Sequence, residues 1–208
     1  MAWLVQMVCI SLLSLGLGGC TAVVMETAKK AHEDRSTEQQ WVDTQIASSI
    51  LTSLGDKDKS LMLDISADVW EQRVLLTGTV VDQATRQDLV RRIKTDARVF
   101  KVYDEIQVVS REEQARRRAA AHPPAHRREG TERVINDVWI ETKISAQLLA
   151  ARNVTSVNYR WRSVRSTVYV IGRALSRAEL NAVLGIVRGT EGVNQVKPFI
   201  DVKPNHKT

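Results

Sequence analysis

The chain has 208 residues and a mass of 23.3 kDa, the size of one medium domain or two small ones. Hydrophobic residues make up 43% and charged residues 26%, which excludes wholesale disorder, a collagen-like repeat and a polytopic membrane protein. The formal net charge of +6 permits an anionic partner without requiring one, and two cysteines and four histidines leave little material for metal or nucleophile chemistry.

Residues 1–19 carry no charged side chain, and Val8 to Leu17 is an apolar run of the length of a signal-peptide core. It ends in Leu17-Gly18-Gly19-Cys20, which resembles the lipobox of bacterial lipoproteins. That resemblance implies a signal peptide over 1–19, cleavage after Gly19 and lipidation at Cys20. Met1 to Met7 departs from the usual pattern in having no Lys or Arg, so a different true start or an uncleaved anchor is the alternative. Thr21, a residue other than Asp after the cysteine, favours the outer membrane over the inner one by the same resemblance. Processing would remove Cys9 and acylate Cys20, leaving no thiol for a disulfide.

Residues 20–40 are polar and mixed in charge and read as a tether. From Trp41 the chain repeats itself. Trp41-Val42-Asp43-Thr44-Gln45-Ile46 resembles Trp139-Ile140-Glu141-Thr142-Lys143-Ile144 at an offset of 98 residues. Apolar residues recur every four positions in both, predicting one face of an amphipathic helix. Strand-like stretches follow at Leu61 to Val69 and Val157 to Trp161. At an offset of 94, Val74 to Gly78 matches Val168 to Gly172, a β-rich run ending in glycine. Asp82 and Ser176 then stand as N-caps of a second helix, the latter with Glu179 in a capping box. Val99 to Val108 and Val193 to Val202 close each copy as strands. Each unit therefore reads helix, strand, strand, helix, strand, which favours two small α+β domains, 41–109 and 137–203, over a single large one. A short tail covers 204–208.

Between the copies lies a basic, Pro-containing linker, 110–136. Ser110 to Arg133 holds seven Arg against four acidic residues, and Pro123-Pro124 should end any helix that begins there. It reads either as a solvated connection or as a basic strap that touches anionic lipid or a partner.

The repeated pattern, with Gly192-Val193-Asn194-Gln195-Val196 as its most complete closing piece, resembles the BON domain, a small module of bacterial envelope proteins. With the lipobox in front, the chain is similar to the dual BON-domain lipoproteins of the Gram-negative outer membrane. The resemblance implies two tandem αββαβ domains, each with two helices packed on a three-stranded mixed sheet. It further implies phospholipid binding or envelope maintenance at the periplasmic face of the outer membrane, without catalysis. In place of the family's frequent Asn-Gly or Asp-Gly turn stand Glu71-Gln72-Arg73 and Arg165-Ser166-Thr167, which predicts altered turn geometry within an intact hairpin. Pro198 in the last strand predicts an edge position or a bulge.

Charge separates the copies. Residues 41–109 hold nine basic and eleven acidic side chains, whereas 137–203 hold ten and five. The second copy is thus the better reader of anionic lipid. Within its first helix, Val138, Trp139, Thr142, Lys143 and Ala146 form the candidate phospholipid-binding face. A tryptophan ring beside a lysine one turn on suits the headgroup layer. The bland reading is that Trp139 caps the core or packs between domains, as its apparent counterpart Trp41 would. Arg160 and Arg162 alternate with Tyr159 and Trp161, and with Arg165 make a second basic patch or simply the solvated face of a strand. An envelope address argues against nucleic acid. The alternative function is a non-catalytic adaptor that binds an envelope protein, with membrane contact only through Cys20.

His32, His122, His126 and His206 fall in the tether, linker and tail. No phosphate-cradling glycine loop, nucleophile triad or metal-ligand spacing occurs. The reading is therefore a non-enzyme with no cofactor and no metal.

Overall fold

A computed structural model describes residues 33–121 and 132–204. The signal-peptide, lipidation and most tether expectations, Cys20 included, lie outside the described residues, as does Pro123-Pro124. The described residues from Arg35 onward belong to one compact unit.

The first copy opens with helix α1 (Thr37–Lys57). Ser36 caps it by accepting from Gln39 N, while the Gln39 side chain accepts from Ser36 N. A short helix α2 (Leu61–Asp64) leads into strands β1 (Ile65–Trp70) and β2 (Arg73–Val80), helix α3 (Gln83–Lys94) and strand β3 (Lys101–Val108). Helix α4 (Arg111–Ala121) follows. The second copy comprises α5 (Glu132–Ala150), a single 3₁₀ turn, β4 (Tyr159–Val164), β5 (Thr167–Ala174), α6 (Arg177–Gly189) and β6 (Gln195–Val202). In each copy the central strand pairs antiparallel with the one before it and parallel with the last. Two αββαβ units, each with two helices on a three-stranded mixed sheet, are thus present.

Details depart from the sequence reading. Leu61–Asp64 is helical, not strand, because Leu61 N and Leu63 N bond back to Asp58 and Ser60 carbonyls. The two helical copies do not align at 98 residues. The buried face of α1 is Asp43, Ile46, Ile50 and Leu54, and that of α5 is Asp137, Ile140, Ile144 and Leu148, an offset of 94 throughout. An amphipathic helix with apolar residues every fourth position can be slid by one turn without losing its stripe, and the paired tryptophans favoured the wrong turn. Trp41 and Trp139 are therefore not equivalent; the counterpart of Trp139 is Gln45.

The buried Asp at the head of each stripe explains the hairpins. β1–β2 and β4–β5 close through two-residue turns, with Trp70 opposite Arg73 and Val164 opposite Thr167. Glu71, Gln72, Arg165 and Ser166 all have positive φ, between 48° and 62°. The geometry is the tight turn that Asn-Gly would favour, retained with residues that bear a Cβ. The altered turn expected from sequence does not occur. Asp43 accepts from Glu71 N and Gln72 N at 2.7 Å, and Asp137 accepts from Arg165 N at 2.8 Å and Ser166 N at 2.9 Å. Charge-assisted bonds of this kind offset the roughly 1–2 kcal/mol that left-handed backbone costs per residue.

One side of each sheet meets its own helices. Gly78 and Gly172 sit on β2 and β5 at φ 116° and 156°, where a Cβ would lie 2.0 and 2.1 Å from the Asp64 and Asn158 carbonyl oxygens. The other side of each sheet meets its counterpart. Trp70, Leu75, Val164, Tyr169 and Ile171 form a buried cluster between the sheets, flanked by Tyr103 and Phe199. The contact has approximate two-fold symmetry. Asp68 and Arg162, 94 residues apart, pair with each other at 3.0 and 3.1 Å. The Tyr103–Phe199 ring contact, 4.4 Å between centroids, has as its symmetry counterpart the Lys197–Glu105 ion pair at 2.6 Å. Buried Arg73 donates to Gly172 O and Phe199 O and pairs with Asp201. The two copies thus form an intramolecular analogue of an isologous dimer.

The segment after the first copy is not merely solvated connection. On α4, Gln114 is buried and donates to Asp64 and Thr79 O; Arg118 pairs with Asp64 of the first copy and Arg117 with Asp137 of the second. These pairs give the two buried carboxylates their counter-charges, so removing either arginine would leave a buried charge uncompensated.

Candidate functional site: the first helix of the second domain

Helix α5 buries Ile140, Ile144 and Leu148, and the same 3.6-residue period turns a different set outward. Val138 is 59% exposed, Trp139 55% and Leu149 64%; Thr142 and Ala146 are exposed between them. The structure thus brings Val138, Thr142, Ala146 and Leu149 onto one outward line with Trp139 at its edge. Trp139 neither caps the core nor packs between domains. The Lys143 ammonium stands 5.0 Å from the Trp139 ring centroid and is also paired with exposed Glu191. That pair holds the Glu191 carboxyl below its usual range. Lys143 therefore steadies the ring and keeps part of its charge engaged. Thr142 Oγ1 donates to Val138 O at 2.9 Å, leaving its methyl and part of its oxygen to the outside.

The second basic patch is placed differently. Arg160 and Arg162 do share one face of β4, opposite Tyr159 and Trp161, but that face looks toward the first domain. Arg160 lies 5.6 Å from the Trp70 ring, and Arg162 is committed to Asp68. Arg165, at the hairpin turn, donates to Gln107. These three arginines do not form one free surface. Burial raises the Asp68 carboxyl despite Arg162 and Arg160, and burial likewise raises Glu141, whose Oε1 accepts from Ser163 N at 2.7 Å.

Sequence reasoning missed the turn-clamping carboxylates Asp43 and Asp137. The signal was present: an Asp at the same place in both copies, visible once the 94-residue offset of the strands is applied to the helices. It also missed Met62 and Leu63, 46% and 65% exposed, which the strand reading had hidden. Among the described residues no group of three or more His, Cys, Asp or Glu is placed to hold a metal, and no helix is long and apolar enough to cross a membrane.

Comparison with known proteins agrees with this architecture. The BON domain family model matches residues 42–110 and 136–204. A protein of Anaplasma centrale, described as an uncharacterized protein in the gshII 5' region, is 33% identical over 139 residues, 67% of this chain and 82% of its own. Solved structures of CdsD, a structural protein of the type III secretion system of Chlamydia trachomatis, align at 10% identity with TM-scores of 0.31 and 0.30. They cover 76% and 75% of this chain and 93% and 96% of theirs, a likeness too low to carry an argument. BON domains are non-catalytic binding modules associated in general with membranes and phospholipid. With two matched copies spanning most of its length, this chain belongs to the BON domain family.

Proposed function

We propose that the protein is a lipid-anchored periplasmic component of the outer membrane, held at Cys20, whose second domain docks on anionic phospholipid and thereby supports envelope integrity. The observation that carries the reading is the outward face of α5. Val138, Trp139 and Leu149 leave large apolar surface in water on the more basic of the two domains. A tryptophan with its ring fixed by Lys143 loses little entropy on entering a headgroup layer, and its N–H stays wet there. Thr142 and Ala146 are small enough to let the helix lie close to the surface. Exposed apolar patches of this kind mark interaction sites.

The test is co-sedimentation of residues 21–208, which include the whole compact unit, with liposomes containing or lacking anionic lipid across a salt series. Binding to anionic vesicles that weakens with salt is expected, and Trp139→Ala with Lys143→Glu should reduce it about tenfold, a loss of ~1.4 kcal/mol. Absence of binding to either vesicle would refute the reading. A second reading, an adaptor for an envelope protein, is favoured by Trp41 and Phe100 of the first domain, 64% and 78% exposed. Under it, vesicle binding is absent and Trp41→Ala alone disrupts capture of the partner.

A further inference from the structure

A cleft of about 240 Å³ opens where the two domains and α4 meet. Leu63 of the first domain and Val138 of the second both line it, and both are exposed, so they form two apolar lips on a shared mouth. Arg117 and Arg118 of α4 and Arg162 of β4 line its walls, together with the carboxylates Asp64 and Asp137. Thr77 lines it from β2; this residue is fully buried, and its hydroxyl has no hydrogen-bond partner.

Each arginine already holds one carboxylate: Arg117 holds Asp137, Arg118 Asp64 and Arg162 Asp68. A guanidinium has five N–H donors, so each retains donors beyond those used in its pair. The paired carboxylates fix the arginines in place, so that little conformational entropy remains to be lost when a further anion binds. Glu141 also lines the cleft, and burial raises its carboxyl. A buried hydroxyl without a partner costs free energy until a polar group meets it. The cleft is smaller than the roughly 300–1,000 Å³ typical of sites that enclose drug-sized ligands. Its size suits a headgroup fragment, with the remainder of the molecule leaving between apolar lips.

We propose that this cleft holds the glycerophosphate headgroup of a single phospholipid, with Leu63 and Val138 flanking the departing acyl chains. The first domain is then half of the lipid site, not only a scaffold for the second. This rests on the membrane-docking reading above and specifies where one lipid sits within it.

The experiment is amide NMR of residues 21–208 titrated with dihexanoyl phosphatidylglycerol below its micelle concentration, with glycerol 3-phosphate and inorganic phosphate as separate arms. The short-chain lipid should shift the amides of residues 63–66 and 77–78 together with those of 138–142, at concentrations where inorganic phosphate does not. Thr77→Val preserves shape and removes only an unpartnered hydroxyl, so the fold should hold while lipid affinity falls about fivefold, the weight of one hydrogen bond. Leu63→Ser should lower vesicle binding by a similar factor. Shifts confined to α5, with Thr77→Val and Leu63→Ser binding vesicles like the parent, would overturn the cleft and leave the docking reading intact. Equal shifts from inorganic phosphate at equal concentration would overturn the lipid assignment. No shifts and no vesicle binding would overturn both.

Discussion

The two domains share one fold at a constant offset of 94 residues, yet the groove beside the first helix has diverged between them. In the first domain Gln45 and Ser49 of α1 receive the Arg98 side chain, at 3.4 and 2.6 Å, and the surface is polar. In the second domain the same places hold Trp139, Lys143 and Gly192. With glycine where arginine stands, no guanidinium reaches the helix; Glu191 beside it pairs with Lys143 instead, and the tryptophan is left to the outside. Gly192 also adopts φ 90°, a conformation that suits glycine. The scaffold residues that coincide between copies are the buried stripe, the clamping Asp and the strand glycine. Differences occur inside as well as outside: Trp70 answers to Val164 across the pseudo-two-fold and Leu75 to Tyr169, all buried, whereas Trp139 in place of Gln45 is an exposed change, where new binding chemistry can arise without repacking the core.

The largest effect in this comparison should come from the shared clamp. Asp137→Ala strips acceptors from two turn amides, Ser163 Oγ and Arg117, all at a site 4% exposed. A loss of ~3–5 kcal/mol is expected by urea denaturation, since a buried cation is left without its partner. Asp43→Ala should cost a comparable amount, because it also takes the carboxylate from Arg35. A difference of more than twofold between the two would show that the domains do not rely on the clamp equally.

Next in size is the contact between the sheets. Arg73→Ala removes the donor that reaches Gly172 O, Phe199 O and Asp201, and should cost ~2–4 kcal/mol. It should also split unfolding into two transitions, followed by amide signals of α3 for the first domain and of α6 for the second. Each domain is too small to be robust alone. A single transition in both the parent and the variant, with unchanged midpoint, would refute the coupling.

The pH dependence separates interface from surface. Asp68 and Glu141 have raised carboxyls, so the folded state binds their protons more tightly than the unfolded chain. Their ionisation therefore destabilises the fold as pH rises through the folded values, and acidification toward the usual carboxylate range relieves it. Asp88, held down by Lys57, Arg92 and Arg91, and Asp82, held down by Thr85, act oppositely. Their contribution is present above the ordinary carboxylate value and is lost as pH falls below it. Thermal unfolding should thus show a midpoint that is flat or rising on mild acidification and falls below about pH 4. Asp68→Asn should flatten the upper part of that profile and leave the lower part unchanged.

The smallest effect concerns the turns. Ser166→Gly and Gln72→Gly should each stabilise by ~0.5–1 kcal/mol, since both positions have positive φ. Destabilisation by either would mean that the side chain, not the backbone, governs the turn.

Much of this architecture was legible in the residues. Two αββαβ units follow from the four-residue apolar spacing of Ile46, Ile50 and Leu54, the strand alternation, the caps at Asp82 and Ser176, and the glycines at 78 and 172, because each reports a local preference of the chain. The outward placement of Val138 and Trp139 follows from the same helical period. The tertiary structure decided what depends on contacts distant in sequence. The register of the helical repeat needed the turn that Asp43 and Asp137 clamp, since a helix stripe is degenerate by one turn. Leu63 and Val138, 75 residues apart, became neighbours only when two sheets closed on each other and α4 bridged them. Arg162, indistinguishable in sequence from a solvated strand arginine, was assigned to Asp68 by that same closure, because burial and pairing belong to the assembled interface and not to the strand that carries it.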